Sequence, residues 1–385
     1  MTQITIRIIA ATVMLAGPAR AAVAQIVVVD LGALPGGASS VPAAINDHGQ
    51  IVGSSATRSG ATHAVLWDRG RIIDIGTLPG GTFSVGFDIN NRGQVLAWSD
   101  TASGESHAFI WDNGQVTDLG MLPGFDSTFP GAINDHGDVV GDIYLSTFGG
   151  THAFVWRRGV MTDLGPGFAH VINNRGEVAG FLDLAGGFRW KNGIETDVST
   201  LVGPQFAEPL FINNHGQIAG ITDEQDCPLQ IQPCGVFFWD RSTITGLPML
   251  PGGTNHSVLA INDRGQVVGS GNSAAAPDGQ HAVLWENGTA IDVGALPGGT
   301  VSLARAINDH GQIAGDSDVA GGARHVFLWQ DGRMTDLGTL PGTVASLAIA
   351  INNRGQIIGL GFTASGETRA ILWTTGKIDR TGQAR

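Results

Sequence analysis

The chain has 385 residues, of which 58 are Gly and only 14% are charged, and its formal net charge is −13. So acidic a chain, with Lys nearly absent, is unsuited to non-specific nucleic-acid binding, which needs cations to replace counterions. An apolar content of 42% excludes a disordered chain, and the wealth of Gly, Asn, Asp, Val and Ile points to many short strands joined by tight turns.

Residues 1–24 read as an export leader. Arg7 supplies a positive start, Ile8 to Gly17 is an apolar run too short to span a bilayer, and Ala22-Val23-Ala24 is a small-x-small cleavage signal. The mature chain is expected to begin near Gln25 and to be secreted or periplasmic. Losing Arg7 and Arg20 takes its formal charge from −13 to −15. No later run reaches membrane length, so no membrane span is expected.

From there one pattern recurs to the end. An Ile-Asn pair starts at Ile45, Ile89, Ile133, Ile172, Ile212, Ile261, Ile307 and Ile351, with spacings of 39 to 49 residues. A Trp follows each pair, at Trp67, Trp111, Trp156, Trp190, Trp239, Trp285, Trp329 and Trp373; Trp98 falls outside the series. In the first copy the elements are strand A (Val41 to Asn46), an Asn46-Asp47-His48-Gly49 turn and strand B (Gln50 to Gly53). A loop from Ser54 to Thr62 precedes strand C (His63 to Trp67), and strand D covers Ile72 to Ile75. Asn-Asp-x-Gly suits a short hairpin whose Gly takes a positive φ, and Leu78-Pro79-Gly80-Gly81 suits a tight turn into the next copy.

Four short strands at this period predict an all-β, eight-bladed β-propeller of four-stranded antiparallel blades, a single domain over residues 25–385. An open solenoid would need parallel rungs, which the hairpin turns contradict. Residues 26–32 match strand D yet precede the first strand A. The N-terminal strand is therefore predicted to complete the last blade beside strands A to C of that copy, with a weaker D-like piece at Lys377 to Asp379. In an exported chain, Cys227 and Cys234 are expected to form a disulfide that closes one loop.

The unit resembles the HAF-repeat family of exported bacterial proteins. His107-Ala108-Phe109 and His152-Ala153-Phe154 carry the resemblance, with variants at His63-Ala64-Val65, His281-Ala282-Val283 and His325-Val326-Phe327. Recurrent Leu-Pro-Gly-Gly and Ile-Asn-[Asp/Asn]-x-Gly complete it over nearly all of the mature chain. The resemblance implies an exported repeat protein without a defined activity. The layout is also similar, more loosely, to WD-repeat propellers, through Trp67-Asp68, Trp111-Asp112 and Trp239-Asp240, which implies a blade order with strand A innermost.

The strand-C His residues and the strand-D Asp residues (Asp74, Asp118, Asp163, Asp292 and Asp336) recur too evenly for a single site and read as architectural, the His bonding backbone inside each blade. Function is expected where the copies differ, on the face of the B–C loops and D–A connections. The position after strand B holds Ser54, Trp98, Asp142, Phe181, Ile221, Ser270, Asp316 and Leu360. With their neighbours these give the candidate ligand-binding set Asp88, Trp98, Asp100, Asp142, Tyr144, Arg305, Asp316 and Asp318, in which an aromatic beside carboxylates could stack on a sugar or hold a cation. No Gly-x-Ser-x-Gly, His-Glu-x-x-His or phosphate loop is present. The expectation is a monomeric, non-catalytic binding or scaffold protein for an envelope protein or glycan, with no catalytic residues, no metal ligands and no cofactor, although the acidic turns leave calcium open. The alternative is a glycoside hydrolase or lyase using Asp88, Asp100, Asp142 and Asp316.

Overall fold

The computed structural model describes residues 8–9, 26–145, 150–183, 186–198, 207–222, 235–241, 243–274 and 276–375. Cys227, Cys234 and the segment from Lys377 to Asp379 lie outside them.

The first unit folds as strand A (Ser40–Ile45), B (Ile51–Ala56), C (Thr62–Asp68) and D (Arg71–Gly76), paired antiparallel in that order. The same four-stranded sheet recurs over Ala207–Gly246, His256–Gly294 and Ser302–Gly338. Units two to four are joined into one larger sheet. One junction is a single parallel bridge between Ser127 and Ser106. The other is the strand Val160–Ile172, which serves as strand D of unit three and strand A of unit four. Here Gly165-Pro166-Gly167 replaces the Leu-Pro-Gly-Gly connection. Gly165 and Gly167, at φ 108° and 137°, carry the chain across without a tight turn.

Ile26–Asp30 pairs antiparallel with Thr368–Thr375, beside Ile357–Thr363 and Thr343–Ile351. Its register is that of a strand D: Asp30 lies opposite Ile371 as Asp74 lies opposite Val65. Ile8–Ile9, the described piece of the expected leader, pairs with Val28–Val29 on the outer side.

Every strand A carries a β-bulge three residues before its Asn, as between Pro42 and Ala44 in unit one and Gly86 and Asp88 in unit two. Bulges bend and twist a strand locally. The bulged A strand lies so close to B that a Cβ on Gly53 would collide with the Val41 carbonyl oxygen. That contact explains the Gly at this position of strand B in most units.

The core lies between neighbouring sheets. Val52, Leu66 and Leu78 pack on Ile89, Val95 and Phe109 of the next unit, and Leu31, Leu34, Ile51 and Trp67 pack on Ile358 and Ala370 of the last. Such sheets are apolar on both faces, so each unit depends on its neighbours. Buried hydroxyls stitch the seams. Ser84 Oγ accepts from Ala64 N and donates to Gly76 O, Ser302 does the same for Ala282 and Gly294, and Ser40 Oγ accepts from Ala370 N at 3.1 Å. The innermost A strands converge on one central pocket, the arrangement of a β-propeller.

Ser84→Ala strands the Ala64 amide and should lower unfolding stability by about 1–3 kcal/mol. Urea unfolding checks this, with the exposed Ser59→Ala expected to leave the midpoint unchanged.

Candidate functional site

The central pocket grows out of the A–B turn. Asn46 Oδ1 accepts from His48 N and Gln50 N at 3.0 Å, and Gly49 turns the chain at φ 81°. This leaves the Asn46 amide Nδ2 to donate to the carbonyl oxygen of Asn90 in the next unit, at 3.0 Å. The residue after it makes a second link, Asp47 N donating to Asn91 Oδ1 at 2.9 Å. Both links recur from unit to unit. They also run from the last unit to the first: Asn352 Nδ2 to Asn46 O at 2.9 Å and Asn353 N to Asp47 Oδ1 at 2.8 Å.

The Ile-Asn-[Asp/Asn] triplets of all the units line a pocket of about 350 Å³. It lies at the A–B turns, opposite the face expected to bind. Asp47, Asp135, Asp263 and Asp309 alternate irregularly with Asn91, Asn174, Asn214 and Asn353 around it. The carboxylates are engaged by these neighbours: Asp135 Oδ2 accepts from Asn174 Nδ2 at 2.8 Å, and Asp309 Oδ2 from Asn353 Nδ2 at 2.9 Å. Among the described residues, no group of three or more His, Cys, Asp or Glu could hold a metal ion.

The repeated His and Asp prove to be partners. His63 Nδ1 meets both oxygens of Asp74 at 3.0 and 3.1 Å, and His107–Asp118, His152–Asp163, His281–Asp292 and His325–Asp336 repeat the pair. Asp74 Oδ1 also accepts from Gly76 N at 2.9 Å. The expected His-to-backbone bond is thus a His-to-carboxylate bond between strands C and D, and the Asp makes the backbone contact. Where Arg369 replaces His, it forms an ion pair at 3.6 Å with Asp30 of the N-terminal strand.

The candidate ligand residues separate into three groups. Asp100 and Asp318 clamp the D–A connections. Asp100 Oδ1 accepts from Thr82 N and Phe83 N at 2.8 and 2.7 Å, and Oδ2 from Thr82 Oγ1 at 2.8 Å; Asp318 does the same with Thr300 and Val301. Desolvation raises the pKa of each, but these donors outweigh it and hold both carboxyls below the usual range. In unit six Asn272 takes the same place with Thr254 and Asn255.

The second group is charge-paired or bonded to backbone. Asp316 is fully buried and bound by Arg305 Nε at 2.7 Å and Arg324 Nη1 at 2.8 Å. Asp88 accepts from Ile89 N and from Ile133 N of the next unit. Burial raises its pKa against those two bonds, with nearby Asp135 adding to the rise.

The third group is brought together. Phe83 meets Trp98 edge-on at 5.5 Å, and Trp98 stacks on Phe129 of unit three at 5.7 Å. Phe129 lies directly opposite Asp142, two residues from Tyr144. Asp142 Oδ1 accepts from Ala169 N of unit four at 3.0 Å. Neighbouring Phe168 lies parallel to His170 at 6.2 Å, and His170 Nε2 pairs with Glu208 Oε1 of unit five at 3.2 Å. Phe83, Phe129, Tyr144 and Phe168 each leave between 37% and 40% of their surface exposed. Burial pushes the Asp142 pKa up to about 7, against the pull of its one hydrogen bond.

The sequence reading missed Phe83, Phe129, Phe168, His170 and Glu208. The usable signal was in strand A and the turn before it, where aromatic residues cluster in units two to four. It also missed His256, which stands where other units place the seam Ser. Among the described residues neither of its ring nitrogens has a partner, and burial lowers its pKa to about 4.

No family model and no curated protein matches the chain. Among solved structures it is similar to the β-propeller domain of the Trilobed protease from Pyrococcus furiosus, at 12% identity over 79% of this chain and 99% of that one, with a TM-score of 0.48. It is also similar to the Pyrococcus horikoshii acylaminoacyl peptidase, at 12% identity over 79% of this chain and a TM-score of 0.46; the match spans 53% of that enzyme. An ulvan lyase bound to its saccharide matches at 11% identity over 86% of this chain and 93% of that one, with a TM-score of 0.42. At these values no activity carries over to this chain.

Two outcomes are expected. Asp100→Ala should destabilise the fold by about 0.5–1.5 kcal/mol, since water reaches the three exposed donors it frees, read by urea unfolding. Asp142 binds its proton more tightly folded than unfolded, so its contribution to stability is full below the unfolded pKa of 3.8 and is lost as pH rises through about 7. Relative to Asp142→Asn, the wild type should lose on the order of 3–4 kcal/mol between about pH 4 and pH 8, at about 1.4 kcal/mol per pKa unit. Denaturation at stepped pH checks the sign.

Proposed function

We propose that this chain is an exported, closed eight-bladed propeller that binds an envelope protein or glycan through its B–C/D–A face without catalysing a reaction. The observation that carries the binding face is the exposed aromatic band of units two to four, since open rings at the mouth of a rigid scaffold are a binding feature that the repeat itself does not require. Closure is supported by the paired links from Asn352 and Asn353 back to Asn46 and Asp47 and by the Asp30–Arg369 pair. Export rests on the leader-like segment and the HAF-repeat resemblance.

The enzyme reading is the weaker one. A glycoside hydrolase needs two working carboxyls roughly 5–10 Å apart across one cleft. Of the four candidates, Asp100 is used on a turn, Asp316 on two guanidinium groups and Asp88 on two backbone amides, which leaves Asp142 alone beside the rings.

Glycan arrays and pull-downs from cell-envelope fractions test the proposal, comparing the wild type with Trp98→Ala/Phe129→Ala. The expected result is a ligand whose capture falls about tenfold or more in the variant. Equal capture by both proteins, or none by either, would overturn it.

A further inference from the structure

We propose that the band formed by Trp98, Phe129, Asp142 and Phe168 receives a lysine side chain of a basic peptide segment; this rests on the binding reading above and specifies its ligand.

Aromatic faces attract cations through their quadrupole, most strongly where water is partly excluded. Phe129 and Phe168 are 40% exposed and flank the Asp142 position from two units, Phe129 as its cross-strand partner and Phe168 as the residue before its hydrogen-bond donor Ala169. The Asp142 carboxyl is half-enclosed and, among the described residues, accepts one hydrogen bond and has no cation paired with it. Such a charge is costly until a cation arrives. The basic groups on the strands packed against it are engaged elsewhere: His170 holds Glu208, His152 holds Asp163 and Arg157 holds Asp138. A neutral sugar could stack on the rings and donate hydroxyls to the carboxylate but would bring no opposite charge, whereas an ammonium supplies both a cation for the rings and a counter-charge for the carboxylate. The net charge of −13 adds long-range attraction for a basic partner.

A bound ammonium favours the ionised carboxyl, so binding releases a proton and strengthens as pH rises through the Asp142 titration near 7. The other titratable groups on the elements packed against Asp142 are Tyr144 on its own strand, His152 on strand C, and Asp163 and His170 on the strand Val160–Ile172. Arg157 at the far end of strand C is held by Asp138. His152 is paired with Asp163 and His170 with Glu208, so the Asn variant at Asp142 separates its titration from theirs.

Fluorescence anisotropy on the whole mature chain tests this with a labelled Lys-Gly-Lys-Gly-Lys peptide, its Gln-for-Lys counterpart and a neutral hexasaccharide. The Lys peptide should bind at least tenfold more tightly than the Gln peptide, and several-fold more tightly at pH 8 than at pH 6. Asp142→Asn should lose about tenfold in affinity and flatten the pH response. Phe129→Ala should weaken binding similarly, and Glu195→Gln, an exposed acid remote from the band, should leave it unchanged. Equal affinity for both peptides, no binding of the Lys peptide, or an equal loss in Glu195→Gln would overturn the proposal. Hexasaccharide binding that Asp142→Asn leaves intact but Phe129→Ala abolishes would also overturn it while leaving the binding face standing. The binding face itself fails if the band variants capture envelope ligands as the wild type does, or if neither protein captures any.

Discussion

The structure depends on one exchange, the donation of an Asn side-chain amide to the backbone carbonyl of the equivalent Asn in the next unit. The Asn does two things with one side chain. Its oxygen closes its own hairpin by accepting two backbone amides, and its nitrogen ties that hairpin to the neighbour. All of these Asn residues are buried to about the same extent, so each bond forms where an unmet amide would be costly. The apolar seams outside these turns then follow, because fixing the inner turns sets how closely adjacent sheets can approach.

The same economy explains why so many polar residues that suggest chemistry are structural. The His–Asp pairs fasten strand C to strand D, and Asp100 and Asp318 organise the connections that enter strand A. Each satisfies backbone amides that a sharp turn leaves open. At unit eight His becomes Arg369, and its partner comes from the N-terminal strand at Asp30. The pairing position therefore persists even where both the residue and its place in the chain have changed.

Much of the fold was legible because a repeat of this kind is local: Ile-Asn, the Asn-Asp-x-Gly turn and the closing Trp lie within one unit and carry strand periodicity. The strand-D character of residues 26–32 was readable for the same reason. What was not legible lies between units. Nothing in one copy says that an Asn amide will reach a carbonyl some 44 residues on, or that Asp142 will bond an amide of unit four. Comparing copies at the end of strand B found Trp98 and Asp142. The same comparison could not tell the clamp Asp100 from the open Asp142, because the difference is whether Thr82 and Phe83 turn their amides toward the carboxylate. Phe129 and Phe168 escaped notice because they sit among apolar strand residues, and only exposure distinguishes them from core. The last-to-first links of Asn352 and Asn353 are likewise invisible in sequence.

Closure of the ring is the proposal on which the binding reading stands, and the backbone amides of the inner turns report it directly. In native-state hydrogen exchange, the Asn353 amide, which bonds Asp47 across the chain ends, should be protected to the same degree as the Asp47 and Asp309 amides at internal seams. An Asn353 amide that exchanges as fast as an exposed loop, while the internal amides stay protected, would contradict closure.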